Sequence, residues 1–269
     1  MNVISKILEK KSESRSCALI PFITAGYPDI STTIKVIYEL DKEGVDFIEL
    51  GIPYKDSLAD GSVIQKASKV AIEQGVYIDQ VLSLLKKVHL NLNVPIIIFS
   101  YYNPILVRGI SKFVIEIFNL GVKGLVIPDL PVEESDYLIF LCNQYNIELI
   151  LFIAPTSSSN RILNILSKAP GCIYLVSSTG VTGVRANIDC RVNKLSDYIK
   201  SKTDKLIILG FGISSSVQVA RISKWNIDGI VIGSALTRIL SENYYYQGYE
   251  SVLKNIVNFW KILKSSTKN

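Results

Sequence analysis

A regular alternation of short apolar runs with longer amphipathic segments constrains the fold of this chain more than any other feature. The runs are rich in β-branched residues and nearly continuous in apolar residues, which is typical of parallel strands covered on both faces. Helical patterns such as "STTIKVIYELDKEG" and "VEESDYLIFLCNQYN" separate them. The alternation therefore predicts an α/β fold. The eight predicted strands are 17–23, 46–50, 95–101, 124–129, 148–154, 172–177, 206–212 and 229–233.

Eight strands with intervening helices in 269 residues fit the size of one (β/α)8 TIM barrel. No linker or low-complexity tract divides the chain, so residues 1–269 are predicted to form a single barrel domain. The opening segment "NVISKILEKK" predicts an additional N-terminal helix that covers the lower end of the barrel. A doubly wound open sheet is the alternative that this pattern alone leaves open.

The composition narrows the chemistry available to the chain. Its one histidine, His89, lies in an amphipathic segment, which disfavours a Ser-His-Asp triad, a histidine-rich metal site and a histidine general base. None of the four cysteines is in a CxxC pair, so they indicate reduced thiols without a disulfide framework or metal site. Acid–base chemistry must then depend on carboxylates, tyrosines or lysines.

The charge distribution argues against a nucleic-acid partner, and the hydropathy argues against a membrane span. The net charge is +5 and the basic residues are scattered, which favours a solvated surface over nucleic-acid binding. No apolar stretch reaches the roughly 18 residues of a membrane span, and the N-terminus lacks the apolar core of a signal peptide. We expect no nucleic acid, no membrane insertion, and a location in the cytoplasm or, if the chain is organelle-encoded, in the organelle (plastid) stroma.

Unusual residues cluster after the predicted strands. The segments "TAGYPD", "GIPYKDSLADG", "YYNP", "PDLP" and "APTSSSNR" follow strands one to five, and further glycine-rich segments follow strands six to eight. The segments before the strands, such as "KEGVD" and "NLGVK", are ordinary turns. Because chemistry in a barrel is located at the C-terminal ends of the strands, this asymmetry predicts an active site there.

Glycines follow the last three strands, in "STGVTG", "LGFGIS" and "VIGSA". Glycine permits close backbone approach, and the amides of a helix N-terminus bind anions. A phosphate site near strands seven and eight is a recurring feature of barrels. The motifs together predict a phosphate site, although each glycine alone could simply form a strand-to-helix turn. The predicted ligands are Gly183, Gly212, Gly233 and Ser234.

Two carboxylates are candidates for acid–base catalysis. Glu49 lies near the end of strand two, where partial desolvation raises the pKa of a carboxyl and suits it to carry protons. Asp60 lies on the following loop and either reaches the mouth or caps the helix that begins near Gly61. Tyr101 ends strand three and Tyr174 lies within strand six, where each is either a substrate contact or part of the core.

The motifs "FITAGYPD", "ELGIPYKDSLADGSVIQ", "YYNPI", "VIPDLP", "APTS", "SSTGVTG", "GFGIS" and "GIVIGSA" occur in order over residues 22–235. In this they resemble the tryptophan synthase alpha chain family, and the long second motif is close to diagnostic. The resemblance implies a (β/α)8 barrel that cleaves indole-3-glycerol phosphate by a retro-aldol reaction to indole and glyceraldehyde 3-phosphate. It also implies that the reaction uses no metal and no organic cofactor.

The resemblance assigns roles to individual residues. Glu49 matches the family's catalytic glutamate and Asp60 its catalytic aspartate. Substrate-binding positions are implied for the indole site, the phosphate site and a loop-six threonine that engages Asp60 when the site closes. These positions are Phe22, Ile64, Tyr101 and Tyr174 at the indole; Gly183, Gly212, Gly233 and Ser234 at the phosphate; and Thr182 on loop six.

The resemblance further implies a partner, the pyridoxal-phosphate-containing tryptophan synthase beta chain, in an α2β2 complex. The implied contacts are Asp56 and Ser57 on one loop and Gly180 on another. The family commonly has "SDPLADGP" where this chain has "KDSLADGS", so Ser57 and Ser62 replace prolines. We expect this loop to lose more conformational entropy when it closes.

Three other functions remain open at this point. The chain could be a free-standing lyase that releases indole, or a catalytically idle barrel that only activates a beta subunit. Intact Glu49 and Asp60 argue against the idle barrel. An indole-glycerol-phosphate synthase would need a catalytic lysine at a strand end, and none is convincingly placed.

Overall fold

Eight parallel strands form a closed barrel in the computed structural model, which describes residues 2–177 and 190–267 without the side chains of residues 190 and 242–249. Strands adjacent in the sequence are adjacent in the barrel, and β8 pairs with β1 so that Ala18 lies beside Gly229. This closure confirms the barrel and excludes the open sheet. The strands are β1 Ala18–Thr24, β2 Ile48–Gly51, β3 Ile96–Phe99, β4 Gly124–Val126, β5 Glu148–Ile153, β6 Ile173–Val176, β7 Ile207–Gly210 and β8 Gly229–Ile232.

The observed strands fall at the eight predicted places, and most are shorter than predicted. The predicted strand 95–101, for example, ends at Phe99 because Tyr101 already serves as the N-cap residue of the next helix. Apolar residues at the C-terminal ends of the runs leave the ladder to line the mouth of the barrel. Hydropathy alone does not distinguish these two uses of an apolar residue.

Helices surround the barrel, and local sequence explains where several begin. The Asp29 carboxylate accepts a hydrogen bond of 2.8 Å from the Thr32 N–H at the start of the helix Ile30–Lys42. Ser215 and Gln218 form a capping box at the start of α10. The helices are α1 Val3–Glu13, α2 Ile30–Lys42, α3 Ser62–Glu73, α4 Ile78–Val88, α5 Tyr102–Arg108, α6 Ile110–Asn119, α7 Asp136–Gln144, α8 Ser159–Lys168, α9 Cys190–Lys200, α10 Ser216–Ile222 and α11 Ser234–Ser266.

The alternation of side chains along each strand separates two apolar regions. In β1, Ala18, Ile20 and Phe22 pack inside the barrel, whereas Leu19 and Ile23 pack between the strands and the helices. This is the period of two expected for a strand buried on both faces. The same alternation decides which residues of the other strands face the barrel interior.

Helix α1 closes the N-terminal end of the barrel. Its Ile4 and Leu8 are fully buried among the interior residues. Glu148, the first residue of β5, accepts hydrogen bonds from the Ser5 N–H at 3.2 Å, the Ser5 hydroxyl at 2.7 Å and the Cys172 N–H at 2.7 Å. The predicted N-terminal helix is therefore confirmed, and a buried carboxylate holds its first turn.

Candidate active site

Glu49 is a buried carboxyl in β2, next to Phe22 of β1 in the parallel register. Only 1% of its surface is exposed, and its Oε1 has no hydrogen-bond partner among the described residues. Burial raises the pKa of Glu49 to about 8, the nearby Asp60 charge adds to the rise, and a hydrogen bond from Tyr174 opposes it. Since Oε1 is itself unpaired, the contact with Tyr174 leaves part of the carboxyl free. Glu49 can thus hold a proton at neutral pH.

Asp60 lies at the end of a compact loop between β2 and α3. The Tyr101 hydroxyl donates a hydrogen bond of 3.1 Å to Asp60 Oδ2 and accepts one of 3.0 Å from the Ala59 N–H. Burial raises the pKa of Asp60 to about 7, and the Tyr101 hydrogen bond opposes the rise. The N-cap of α3 is Gly61, so Asp60 does not cap that helix. The alternative capping role is therefore wrong.

An aromatic cleft lies beside Asp60 and the glycines that follow β7 and β8. Phe22 meets Phe99 edge to face with ring centroids 5.5 Å apart. Tyr174 lies 5.7 Å from Phe211 between ring centroids. The cleft offers a flat apolar ligand several aromatic faces and edges. Its lining residues are Phe22, Asp60, Ile64, Phe99, Tyr174, Phe211, Gly212, Val231, Gly233 and Ser234.

Three residues of this lining, Phe99, Phe211 and Val231, are not among the predicted site residues. A signal for two of them was present in the alternation, since Phe99 follows inward-facing Ile97 by two residues and Val231 is in the middle of β8. Phe211 gave no such signal. Its φ of 72° places it in the left-handed region, and its carbonyl accepts a hydrogen bond from the Ser177 hydroxyl.

The start of α11 has the features of an anion site. Ser234 is its first residue, and the Ser234 Oγ is buried without a hydrogen-bond partner within the described ranges. A Cβ on Gly233 would lie 3.0 Å from Phe22 Cδ1, so this position has little room for a side chain. Gly212 has a φ of +80°, a conformation that favours glycine. All three residues line the cleft.

The predicted site residues differ in what the structure says of them. Glu49, Asp60, Phe22, Ile64, Tyr101 and Tyr174 all belong to the interior or mouth of the barrel. Thr182, Gly183 and Gly180 lie outside the described residues.

The two predicted partner contacts on the β2–α3 loop have different environments. Asp56 is exposed, whereas Ser57 is only 3% exposed. The Ser57 carbonyl accepts hydrogen bonds from the Asp60 N–H at 3.1 Å and the Gln65 side-chain amide at 3.1 Å. Leu58, which is not among the predicted contacts, is 82% exposed. Lys55, Asp56 and Leu58 are thus the exposed residues of this part of the loop.

Residues 2–177 and 190–267 contain neither a metal-binding cluster nor a membrane-spanning helix. No group of three or more His, Cys, Asp or Glu side chains is arranged to hold a metal ion. No helix there has the length and apolar character that a membrane span requires.

Comparisons with known proteins agree over nearly the full chain. A family model described as the tryptophan synthase alpha chain matches residues 8–268. The tryptophan synthase alpha chain of Gracilaria tenuistipitata var. liui is 58% identical over 267 residues, 99% of this chain and 97% of that protein. That of Antithamnion sp. is 62% identical over 241 residues, 90% of this chain and 91% of that protein. A solved structure of Mycobacterium tuberculosis tryptophan synthase superposes with a TM-score of 0.90 at 26% identity and covers 100% of this chain and 99% of its own.

Proposed function

The chain belongs to the tryptophan synthase alpha chain family, and from this premise we propose that Glu49 and Asp60 are its two catalytic groups. The chain is a carbon–carbon lyase of tryptophan biosynthesis that cleaves indole-3-glycerol phosphate by a retro-aldol reaction to indole and glyceraldehyde 3-phosphate. The observation that carries the assignment is the pair of carboxyls buried at one mouth, with pKa values raised to about 8 and about 7. Strongly perturbed carboxyls in a cleft are characteristic of acid–base sites.

Glu49 is the proposed proton carrier. The reaction requires a proton on indole C3 and the loss of one from the C3′ hydroxyl. Protonated Glu49 donates to C3, and the resulting carboxylate accepts the C3′ hydroxyl proton as the C3–C3′ bond breaks. The bonding electrons return to the indole ring, C3′ becomes the aldehyde carbon, and Glu49 ends protonated. No proton is exchanged with solvent in the balance.

Asp60 is the proposed electrostatic group. Protonation at C3 places positive charge on the indole ring near N1–H. An ionised Asp60 accepts a hydrogen bond from N1–H and stabilises this charge in a site with little water. The hydrogen bond from Tyr101 favours the ionised form of Asp60 and holds its carboxylate in position. Tyr101 is therefore a positioning residue in this scheme.

The two ends of the substrate have complementary surroundings. The indole fits the aromatic cleft of Phe22, Ile64 and Tyr174. The phosphate fits the N-terminus of α11, where Gly233 allows close approach and Ser234 offers an amide and an unpaired hydroxyl. Gly212 completes this side of the cleft. Contributions from Thr182 and Gly183 stay predictions.

The catalytic assignment predicts a large loss of rate without unfolding. Glu49→Gln and Asp60→Asn should each lower kcat for indole formation by about 10² to 10⁴. Asp56→Asn is the matched control, because it neutralises an exposed carboxylate on the same loop. Circular dichroism establishes that each variant is folded. Near wild-type turnover by folded Glu49→Gln would show that another group carries the proton.

The family pairs with a beta subunit, and we propose an α2β2 complex in which that subunit covers the mouth of the barrel. Asp56 and Leu58 are exposed on the loop that carries Asp60, so docking there would act directly on a catalytic group. The carbonyl of buried Ser57 accepts a hydrogen bond from the Gln65 side chain, which ties the loop to α3. Gly180 is the second proposed contact and is outside the described residues.

Restoring the two prolines tests the coupling between loop and partner. Ser62 is the first residue of α3, a position that accepts proline well, and the Ser57 carbonyl bonds survive in proline. The double variant Ser57→Pro, Ser62→Pro should raise the isolated chain's kcat a few-fold, which corresponds to about 1 kcal/mol, and shrink activation by the beta subunit.

The measurement is indole formation by native and double-proline chains, each with and without beta subunit. Equal rates for the isolated native chain and the complex would favour the free-standing lyase. Absence of indole release in every arm would favour the idle barrel.

A further inference from the structure

Three buried side-chain oxygens lack a hydrogen-bond partner in the described part of the chain and lie on, or two residues after, three neighbouring strands. They are Glu49 Oε1, Thr24 Oγ1 and Ser234 Oγ. Glu49 is in β2, Thr24 is the last residue of β1, and Ser234 comes two residues after the end of β8. β1 lies between β8 and β2 in the barrel. Because buried polar atoms are nearly always paired, three such atoms side by side indicate groups that a ligand completes.

Thr24 faces the inside of the barrel mouth. Ile20 and Phe22 point inward and Ile23 points outward, so the period of two places Thr24 inward, and only 3% of its surface is exposed. It pairs in register with Gly51, where a Cβ would lie 2.6 Å from Phe22 Cζ, so the Phe22 ring occupies the space beside Gly51.

The register places Thr24 between the two other unpaired oxygens. Gly51, its partner in β2, is two residues beyond Glu49. On the other side, Pro21 of β1 pairs with Ile232 of β8. Thr24 comes three residues after Pro21, and Ser234 comes two residues after Ile232. Adjacent strands are about 4.8 Å apart, and Thr24 lies on the strand between the one that carries Glu49 and the one that leads to Ser234.

We propose that the Thr24 hydroxyl binds the C2′ hydroxyl of the substrate and is a specificity-determining residue. The inference rests on the proposed function, which places the C3′ hydroxyl at Glu49 and the phosphate at Ser234. The C2′ carbon is the middle atom of that three-carbon chain. Thr24 is on β1, which lies between β2, the strand of Glu49, and β8, the strand that precedes Ser234. A threonine hydroxyl can both donate to and accept from an alcohol. No bond to C2′ changes, so Thr24 selects the hydroxylated chain and takes no part in proton transfer.

The free protein offers a readout that a purely structural threonine would not give. An unpaired buried hydroxyl stabilises nothing in the absence of ligand, so its replacement by a methyl group should be neutral or stabilising. Thr24→Val keeps the shape and removes the hydroxyl, and Thr24→Ser keeps the hydroxyl. A hydroxyl that supported the fold would instead make Thr24→Val unfold at lower urea concentration.

The experiment compares both variants with two probes. The first is indole-3-glycerol phosphate turnover, and the second is calorimetric binding of indole-3-propyl phosphate, which has the ring and phosphate but no chain hydroxyl. Thr24→Val should lower kcat/KM for the substrate by about 5- to 150-fold, mainly through KM, as expected for one buried group left unpaired. Thr24→Ser should recover most of this loss. Both variants should bind the propyl phosphate like the wild type.

Two outcomes would overturn the inference. One is an unchanged kcat/KM in folded Thr24→Val, which would place the C2′ hydroxyl elsewhere. The other is equal weakening of substrate and propyl phosphate, or a loss of stability without ligand, which would make the hydroxyl structural. Neither outcome affects the proposed catalytic pair, which fails separately if Glu49→Gln retains its turnover.

Discussion

Glu49 and Glu148 are both buried strand glutamates, one near the mouth of the barrel and one at its N-terminal end, and their carboxylates have opposite surroundings. Three donors from Ser5 and Cys172 bond to Glu148. Glu49 Oε1 has none among the described residues. Burying a carboxylate is costly unless hydrogen bonds compensate for the lost water. The comparison therefore separates a carboxylate that the fold has satisfied from one that it has left available.

Other carboxylates near the N-terminal end of the barrel follow the pattern of Glu148. Asp46 accepts a hydrogen bond from the Leu19 N–H at 3.0 Å and pairs with Lys11 at 2.7 Å. Asp228 accepts one from the Ile207 N–H at 2.7 Å and pairs with Lys200 at 2.9 Å. At the N-terminal end of the barrel, these carboxylates accept hydrogen bonds from backbone N–H groups and pair with lysines of the surrounding helices. At the mouth the pKa values of Glu49 and Asp60 lie near neutrality, where protons can move.

The largest expected effect on stability is at Glu148. Glu148→Ala removes the acceptor of two backbone N–H groups and a hydroxyl, and should lower the free energy of unfolding by about 3 kcal/mol or more. Activity per folded molecule should stay near wild type, since Glu148 is remote from the mouth. Urea unfolding and kcat corrected for the folded fraction measure both quantities. A fall in corrected kcat as large as that of Glu49→Gln would mean that Glu148 is not a purely structural carboxylate.

A smaller stability effect of opposite sign is expected at Glu49. Its pKa is raised to about 8 in the folded state, so folding retains a proton that the unfolded chain loses near pH 4.5. This contribution to stability is fully present below pH 4.5 and is lost as the pH rises through about 8. Glutamine cannot ionise, so Glu49→Gln should be more stable than wild type near pH 9 and similar to it near pH 4.

The check is urea unfolding of both proteins across this pH range, with Asp56→Asn as a control that should show no such trend. If Glu49→Gln were destabilised equally at all pH values, Glu49 would be a structural carboxylate like Glu148.

The smallest effect concerns the pH dependence of the rate. Asp60 must be ionised and Glu49 protonated, so kcat/KM should form a bell with limbs near the pKa values of about 7 and about 8. Because the Asp60 charge raises the pKa of Glu49, Asp60→Asn should move the alkaline limb of its residual activity to lower pH. Rates measured from about pH 5.5 to 9.5 test this. An alkaline limb that stays in place would mean that the two carboxyls do not interact.

The order of the elements and the location of Glu49 could be predicted from sequence because both depend on local periodicity. An apolar run with one carboxyl near its end places that carboxyl at a barrel mouth once eight such runs are counted. The Tyr101–Asp60 hydrogen bond, the positive φ of Phe211 and the unpaired Thr24 hydroxyl could not be predicted. Each depends on contacts between segments distant in the sequence, for which a single chain gives no signal.

The same limit applies to Glu148. In the sequence it is the first residue of an apolar run, as unusual there as Glu49 is in "DFIEL". Its place at the start of the run puts it at the opposite end of the barrel from Glu49, but the donors from Ser5 and Cys172 come from segments distant in the sequence. The single-domain organisation, the location in the cell and the α2β2 assembly stay predictions.

The most direct test of this account measures kcat and the free energy of unfolding together for Glu49→Gln and Glu148→Gln at about pH 7.5. We predict a crossed result. Glu49→Gln should lose about 10² to 10⁴ in kcat at equal or greater stability, and Glu148→Gln should lose stability with kcat per folded molecule unchanged. Parallel losses of rate and stability in both variants, or wild-type turnover by Glu49→Gln, would contradict the account.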